Sequence, residues 1–173
     1  MTKTTSQPSP RIPIDTCEGL FEKLKWDYQQ LQEGWNEYRT FNFVVTAYHL
    51  YEDWIKHAGS KAQRSRKEKL PTIGKKLFYT LRDITNASKH WQLDSKSQNK
   101  QIVEGVSKPI IGDYYAYFIA GPVMYVSVGK ARPSIPELVS ITIECLEWIL
   151  NGETNTFPET LSEQIGVVFK PLC

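Results

Sequence analysis

Residues 41–59 read FNFVVTAYHLYEDWIKHAG, and this stretch decides how the rest of the chain has to pack. Its apolar and aromatic side chains recur three and four positions apart, which predicts an α-helix from about residue 35 to residue 58, ending at Gly59. The apolar arc of this helix is wide, so other elements must cover it on most sides. One narrow polar stripe remains, and it consists of Asn42, Thr46, His49, Asp53, Lys56 and His57.

Three further helices are predicted around this one. Thr16 is a suitable N-cap for a first helix that ends at Gly34. Later helices are expected over residues 73–91 and 136–150, where apolar side chains again follow the helical period. Between them, residues 101–128 are rich in β-branched and aromatic side chains, which predicts a β-hairpin or a three-stranded meander. The fold class is therefore mainly α, a bundle of about four helices with this β insertion before the last long helix.

The chain is expected to form one domain. It has 173 residues, of which 40% are hydrophobic and 23% are charged, values that are typical of a globular protein. Residues 1–15 are polar and rich in proline, so we expect a flexible segment there, followed by a single helical domain over residues 16–173. The tail beyond Gly152 shows only one short amphipathic turn.

Cysteine content and hydropathy narrow the class of protein. Three cysteines without a C-x-x-C pair give no pattern for a zinc knuckle or a thioredoxin-like site. No apolar run approaches the roughly 20 residues of a membrane span, and no signal-peptide pattern is present. We therefore expect a cytoplasmic protein with reduced thiols and no membrane contact. Phosphate-binding glycine loops, G-x-S-x-G and H-E-x-x-H are absent from the sequence, so no cofactor is predicted.

A basic segment separates the second helix from the third. Residues 61–69 read KAQRSRKEK, with five basic groups and one acidic group. We expect a loop here, and two interpretations stay open: a solvated surface loop, or a contact for an anionic partner such as RNA. In the second interpretation the contacts come from Lys61, Arg64, Arg66 and Lys67.

The polar stripe of the second helix contains a candidate proton-transfer group. His49, Asp53 and His57 are spaced four residues apart. Three interpretations stay open: Asp53 orients a functional imidazole, the stripe is a solvated face, or a metal binds with a ligand such as His90 from a second helix. One metal cannot join His49 to His57, because they lie about 12 Å apart along the helix axis. No metal site is predicted.

The predicted third helix carries a second polar constellation. Arg82, Asn86 and His90 share one face, with Asp83 and Lys89 beside them. A cation, an amide and an imidazole on one surface suit metal-independent RNA cleavage, in which an internal 2′-hydroxyl attacks the phosphate and His90 acts as general acid or base. The alternative is an exposed helix end, where Lys89 and His90 are favoured by the helix dipole.

This arrangement of helices, with an arginine and a polar residue followed by a histidine, resembles the HEPN superfamily of α-helical proteins. Many of these are metal-independent RNases, and the resemblance implies a dimer in which two histidine-bearing helices meet in one cleft. Arg82 corresponds to the motif arginine, Asp83 to the polar residue and His90 to the motif histidine. Seven residues separate Arg82 from His90, more than the family usually has, so Arg82 matches less well than His90.

A second resemblance covers residues 41–54 and 82–93, which look like the two signature stretches of a group of small bacterial proteins. The recurrent part of that group is a D-x-x-N-x-S-K-H motif. Members of the group do not always have an arginine at the position of Arg82. The resemblance implies no particular activity. It implies a site formed by Asp83, Asn86, Lys89 and His90, with His49 and Asp53 opposite.

Together these patterns lead us to expect an HEPN-like homodimer that cleaves or binds RNA without a metal, in bacterial stress response or phage defence. The candidate catalytic residues are His90, Arg82, Lys89 and Asn86, with His49, Asp53 and Asp83 in support. The alternative is a non-catalytic interaction domain, in which the stripe is structural and the aromatic hairpin from Tyr114 to Tyr125 contacts a protein partner. The catalytic interpretation requires the polar edges of the second and third helices to face a shared cleft.

Overall fold

The computed structural model describes residues 14–89, 100–107 and 123–171, and for Lys89 it describes only the place in a helix. In this part of the chain, six helices pack around one hydrophobic core, and a pair of short antiparallel strands precedes the last two helices. The predicted fold class, mainly α with a β-hairpin before the last long helix, is confirmed.

Helix α2 is continuous but changes its hydrogen-bonding pattern near its end. It is α-helical over Glu37–His49, π-helical over Leu50–Trp54 and α-helical again over Ile55–His57. The remaining elements are α1 (Cys17–Glu33), α3 (Lys61–Glu68), α4 (Thr72–Lys89), β1 (Gly105–Ser107), β2 (Tyr125–Ser127), α5 (Ile135–Asn151) and α6 (Glu159–Val168).

Side-chain caps fix where α1 and α5 begin. The Thr16 hydroxyl accepts a hydrogen bond from the backbone N–H of Gly19 at 2.9 Å, as predicted, and α1 ends at Gly34. At the start of α5, Ser134 and Glu137 each accept a bond from the other's backbone N–H, which is a capping box. Caps of this kind each stabilise a helix by about 1 kcal/mol.

Helix α2 lies between α1 and α4. Phe43 packs against Tyr28 of α1 with ring centroids 6.4 Å apart, and Tyr51 stacks on Phe78 of α4 at 3.8 Å. Helix α5 packs against all three of these helices. The apolar side chains that follow the helical period in α5 are buried, namely Leu138, Ile141, Cys145, Trp148 and Ile149. The wide apolar arc of α2 therefore has the covering that its sequence requires.

The basic segment after α2 forms helix α3, so the predicted loop is wrong. Ser60 caps this helix and forms a capping box with Gln63. Gln63 and Arg66 are buried, and their side chains donate hydrogen bonds to carbonyl oxygens at the end of α5, among them that of Leu150. Bonds between polar side chains and a distant backbone stabilise α3, and hydropathy does not register such bonds.

The tail also contains more helix than expected. Helix α6 has 10 residues where the sequence predicted one short turn, and its Leu161 and Ile165 side chains are buried in the core.

The strand pair agrees with the prediction only in outline. Strand β1 pairs with β2 in antiparallel register, Val106 opposite Val126. The aromatic stretch of the predicted hairpin, residues 113–119, lies outside the described residues, as does most of the predicted flexible N-terminal segment.

Two of the three cysteines lie within the described ranges. Cys17 and Cys145 are buried free thiols, and burial raises the pKa of both. Cys173 lies outside the described residues.

Candidate active site

The π-helical turn of α2 begins directly after His49 and contains Asp53. Within it the backbone N–H of Ile55 bonds to the carbonyl of Leu50, five residues earlier, instead of four. Single π turns inside α-helices are frequent at functional sites because they change the direction in which side chains leave the helix. Nothing in the hydrophobic period of this stretch predicts the change.

His49 and Asp53 form a hydrogen-bonded pair across this turn. His49 Nδ1 lies 2.8 Å from Asp53 Oδ2. The two side chains are 36% and 54% exposed, so solvent reaches the pair. Because a carboxylate accepts but does not donate, Nδ1 carries the proton in this bond. Orientation of an imidazole by Asp53 was one of the three interpretations of this stripe, and its hydrogen bond is present.

On one side of this pair the stripe is occupied by contacts with α1. Thr46 is buried, and its hydroxyl accepts a hydrogen bond from Lys23 Nζ at 2.6 Å. The same ammonium pairs with the buried Asp27 at 2.5 Å. This part of the stripe therefore holds α1 against α2 and is not open to a ligand.

On the other side of the pair a cavity of about 590 Å³ opens between the start of α1 and the end of α2. Asp53 belongs both to this cavity wall and to the pair with His49. Leu20, Trp54 and His57 also line it. The cavity lies within the 300–1,000 Å³ that is common for ligand pockets. Sequence reasoning missed it, since its walls come from segments about 35 residues apart.

The polar residues at the middle of α4 have a different role. Asp83 is 4% exposed, and its Oδ2 accepts hydrogen bonds from the backbone N–H groups of Ile102 at 2.5 Å and Val103 at 3.1 Å. Arg82 donates to the other oxygen of Asp83 at 2.9 Å and to the carbonyl of Lys100 at 2.5 Å. Both side chains hold the segment before β1 against α4. Asp83 in particular is saturated and buried.

One ring contact and one electrostatic interaction indicate that helices α2 and α4 run antiparallel. Tyr51 of α2 stacks on Phe78 of α4. One turn before Tyr51, the charge of Arg82 acts on the Tyr48 phenol, and Arg82 lies one turn after Phe78. Burial raises the pKa of Tyr48, the Glu52 carboxylate raises it further, and Arg82 lowers it in part.

This register separates the His49–Asp53 pair from the end of α4. Lys89 follows Phe78 by 11 residues, about 16 Å along the axis, in the direction that leads past His49 toward the start of α2. The helical position of Lys89 is therefore about 14 Å from the level of His49. Asn86 is half-buried on the same helix, and His90 lies outside the described residues. Within the described ranges, the end of α4 therefore stands at a different level of the bundle from the His49–Asp53 pair, whereas Arg82 and Asp83 lie within about 5 Å of the level of His49 along the axis.

The basic residues of α3 divide into buried and exposed ones. Lys61 and Arg64 are exposed, and Arg64 also bonds the carbonyl of Gly59 at 2.6 Å. Arg66 is buried, and its guanidinium donates to the carbonyls at the end of α5 at 2.8 and 2.9 Å. Of the four predicted RNA contacts, Lys61 and Arg64 therefore face solvent, and Arg66 does not.

Lys67 contacts the π turn of α2. Its Nζ lies 3.5 Å from Glu52 Oε2 and 4.4 Å from the centre of the Tyr51 ring. Burial lowers the pKa of Lys67, while Glu52 raises it in part. The charge of Lys56 also lowers the pKa of Lys67. Lys56 is exposed and lies one turn after Asp53. Lys56 and Lys67 thus add positive charge beside the His49–Asp53 pair.

Two further observations concern the described part of the chain. It holds no group of three or more His, Cys, Asp or Glu side chains placed to bind one metal ion. None of its helices combines the length and the apolar character that crossing a bilayer requires.

No protein-family model, curated protein or solved structure matches the sequence or the fold.

Proposed function

We propose that this protein binds RNA and cleaves it without a metal, as HEPN-like RNases do, with His49 as the proton-transferring group. The observation that carries the proposal is the 2.8 Å bond between His49 Nδ1 and Asp53 Oδ2, two partly exposed side chains of which Asp53 lines a cavity. The proposal keeps the chemistry that the sequence predicts. It assigns the first proton transfer to α2 instead of α4.

The reaction needs no metal because the substrate supplies its own nucleophile. His49 Nε2 takes the proton of a ribose 2′-hydroxyl, and the 2′-oxygen attacks the adjacent phosphorus. The bond from phosphorus to the 5′-oxygen breaks, and a second acid protonates that oxygen. The sequence nominates His90, which lies outside the described residues, for this second role. The products are a 2′,3′-cyclic phosphate and a 5′-hydroxyl.

Exposed cations next to the pair would hold the RNA backbone. Lys56 follows Asp53 by one turn, and Lys61 and Arg64 begin the next helix. Each phosphate that such cations neutralise releases counterions, so binding should weaken steeply as salt rises. Arg66 takes no part, because it is buried against α5.

A homodimer remains part of this proposal. In one chain, about 14 Å along the axis separates the level of His49 from Lys89. A second chain packed across this edge would offer the end of its own α4 to the pair. Light scattering coupled to gel filtration measures the mass, and a stable monomer of 19.9 kDa that cleaves RNA would contradict the dimer.

A second candidate function, a non-catalytic interaction domain, is favoured by one observation. Arg82 and Asp83, two of the residues predicted for the site, bond the backbone of the segment before β1 instead of facing a ligand. In that case the polar edge of α4 is structural, and replacing His49 has no effect on any RNA.

The test is cleavage of a mixed RNA in EDTA by wild type, His49→Ala and Asn42→Ala. Asn42 is exposed on the same stripe and serves as the matched control. We expect wild type and Asn42→Ala to release 2′,3′-cyclic phosphate ends equally, and His49→Ala to be slower by about a hundredfold or more. Added imidazole should restore part of the lost rate.

Two results would overturn the proposal. Equal, negligible cleavage by wild type and His49→Ala removes the catalytic step. RNA affinity that does not change between low and high salt removes the contact with the phosphate backbone.

A further inference from the structure

The cavity beside the His49–Asp53 pair is not used by the cleavage chemistry itself. It measures about 590 Å³ and shares Asp53 with the pair. A nucleotide whose 2′-hydroxyl lies at His49 would therefore have its base at the mouth of this cavity. The chemical character of the walls indicates which base fits.

Four of the lining residues are apolar. Ile14, Leu20 and Ala58 provide aliphatic surface, and the half-buried Trp54 provides an aromatic one. A flat, uncharged ring is the kind of group that such walls accept. Stacking on an aromatic side chain is also the usual way in which proteins hold an unpaired base.

Two carboxylates edge this apolar surface. Asp53 already accepts a hydrogen bond from His49, whereas Asp15 is exposed in the same wall and forms no ion pair within the described ranges. A carboxylate has two adjacent acceptor oxygens and no donor. It therefore selects a ring that presents two adjacent N–H donors.

We propose that the cavity receives an unpaired guanine base of the RNA, stacked on Trp54 and read by Asp15. Guanine presents its N1–H and its 2-amino group side by side, which matches the two oxygens of one carboxylate. Adenine and cytosine place an acceptor next to their amino group, and uracil flanks its single N–H with two carbonyls. The inference rests on the proposed function and adds to it that cleavage occurs on the 3′ side of guanosine.

A free cation is a poorer occupant of this cavity. Asp53 already accepts a hydrogen bond from His49, and the exposed Lys56 brings positive charge to the same end of α2. This charge opposes the entry of an ammonium ion. It does not oppose a neutral base whose phosphate lies outside.

The experiment uses short oligonucleotides that are 2′-O-methylated everywhere except at one nucleotide, which is guanosine, inosine, adenosine, cytidine or uridine. Inosine lacks only the 2-amino group of guanosine. We expect the wild-type chain to cleave the guanosine oligonucleotide about tenfold faster than the inosine one, and the other three more slowly still. In Asp15→Asn the advantage of guanosine over inosine should disappear. In Ser162→Ala, a control on α6, it should be unchanged.

A second readout does not depend on cleavage. Binding of guanosine monophosphate and inosine monophosphate to wild type and Asp15→Asn is measured by calorimetry. The inference predicts tighter binding of the guanosine nucleotide, by about tenfold, in wild type alone. Trp54→Leu should weaken both nucleotides.

The outcomes separate this inference from the proposed function. Cleavage that proceeds equally at all five nucleotides would overturn the guanine pocket and leave RNA cleavage standing. Selective binding of guanosine monophosphate without any cleavage would support the pocket and overturn the catalytic step. Equal binding of both nucleotides by wild type and Asp15→Asn would contradict the pocket in either case.

Discussion

Two acidic residues, each bonded to a basic partner on its own helix, behave differently in this molecule. Asp53 of α2 is 54% exposed and bonds across its own turn, to His49. Asp83 of α4 is 4% exposed and bonds two backbone N–H groups about 20 residues away along the chain. The first arrangement leaves an imidazole oriented at a cavity edge. The second fixes a crossing segment to a helix.

The residue types on a polar helix edge therefore do not show whether the edge is structural or available for chemistry. In the sequence, both edges combine a carboxylate with a basic group: His49 lies four residues before Asp53, and Arg82 lies directly before Asp83. What distinguishes them is whether another segment of backbone passes over the edge. Chain crossings of this kind depend on tertiary packing, so helical periodicity cannot separate a structural carboxylate from one available for chemistry.

The largest expected effect is on stability at α4. In Asp83→Ala the backbone N–H groups of Ile102 and Val103 lose a charged acceptor, and Arg82 loses its partner. We expect the free energy of unfolding to fall by about 3 kcal/mol in urea denaturation. Asp53→Ala, the matched change, should cost less than about 1 kcal/mol. Equal losses would contradict the distinction between the two carboxylates.

A similar contrast is expected within α3. Arg66→Met keeps an apolar stem but removes two hydrogen bonds to the last carbonyls of α5. The free energy of unfolding should fall by about 2 kcal/mol. Arg64→Met removes a bond from an exposed side chain and should change it by less than about 0.5 kcal/mol. RNA affinity should respond in the opposite way, with the larger loss in Arg64→Met.

The smallest effect concerns the contact between α2 and α4 at high pH. Burial raises the pKa of Tyr51 in the folded protein above its ordinary value of 10.0. The unfolded chain therefore ionises first, so the contribution of this group is present below pH 10 and is lost as pH rises above it. Tyr51→Phe keeps the stack on Phe78. Between neutral pH and pH 11, its free energy of unfolding should fall by about 1 kcal/mol less than that of wild type. Tyr38→Phe, where the ring is 82% exposed, should show no such difference.

The fold was largely predictable because its determinants are local. The cap at Thr16, the end at Gly34 and the inward residues of α5 all follow from helical period and capping chemistry. The helix at residues 61–68 was not predicted. Its buried face consists of Gln63 and Arg66, whose partners are backbone carbonyls of α5.

The candidate site was predictable only in part. Asp53 as the partner of His49 follows from a spacing of four residues on one helix. The π turn that contains Asp53 depends on a change of hydrogen-bond pattern that the residue types do not dictate. The role of Asp83 and the cavity at Trp54 depend on how distant segments meet, which one sequence does not specify.

The most direct measurement is RNA cleavage by Asp53→Asn, with the free energy of unfolding determined on the same preparation. The account predicts a rate lower by about tenfold or more, because the amide no longer fixes the imidazole with its proton on Nδ1. The free energy of unfolding should stay within about 0.5 kcal/mol of wild type. Cleavage at the wild-type rate by a stably folded Asp53→Asn would contradict the claim that this pair performs the chemistry.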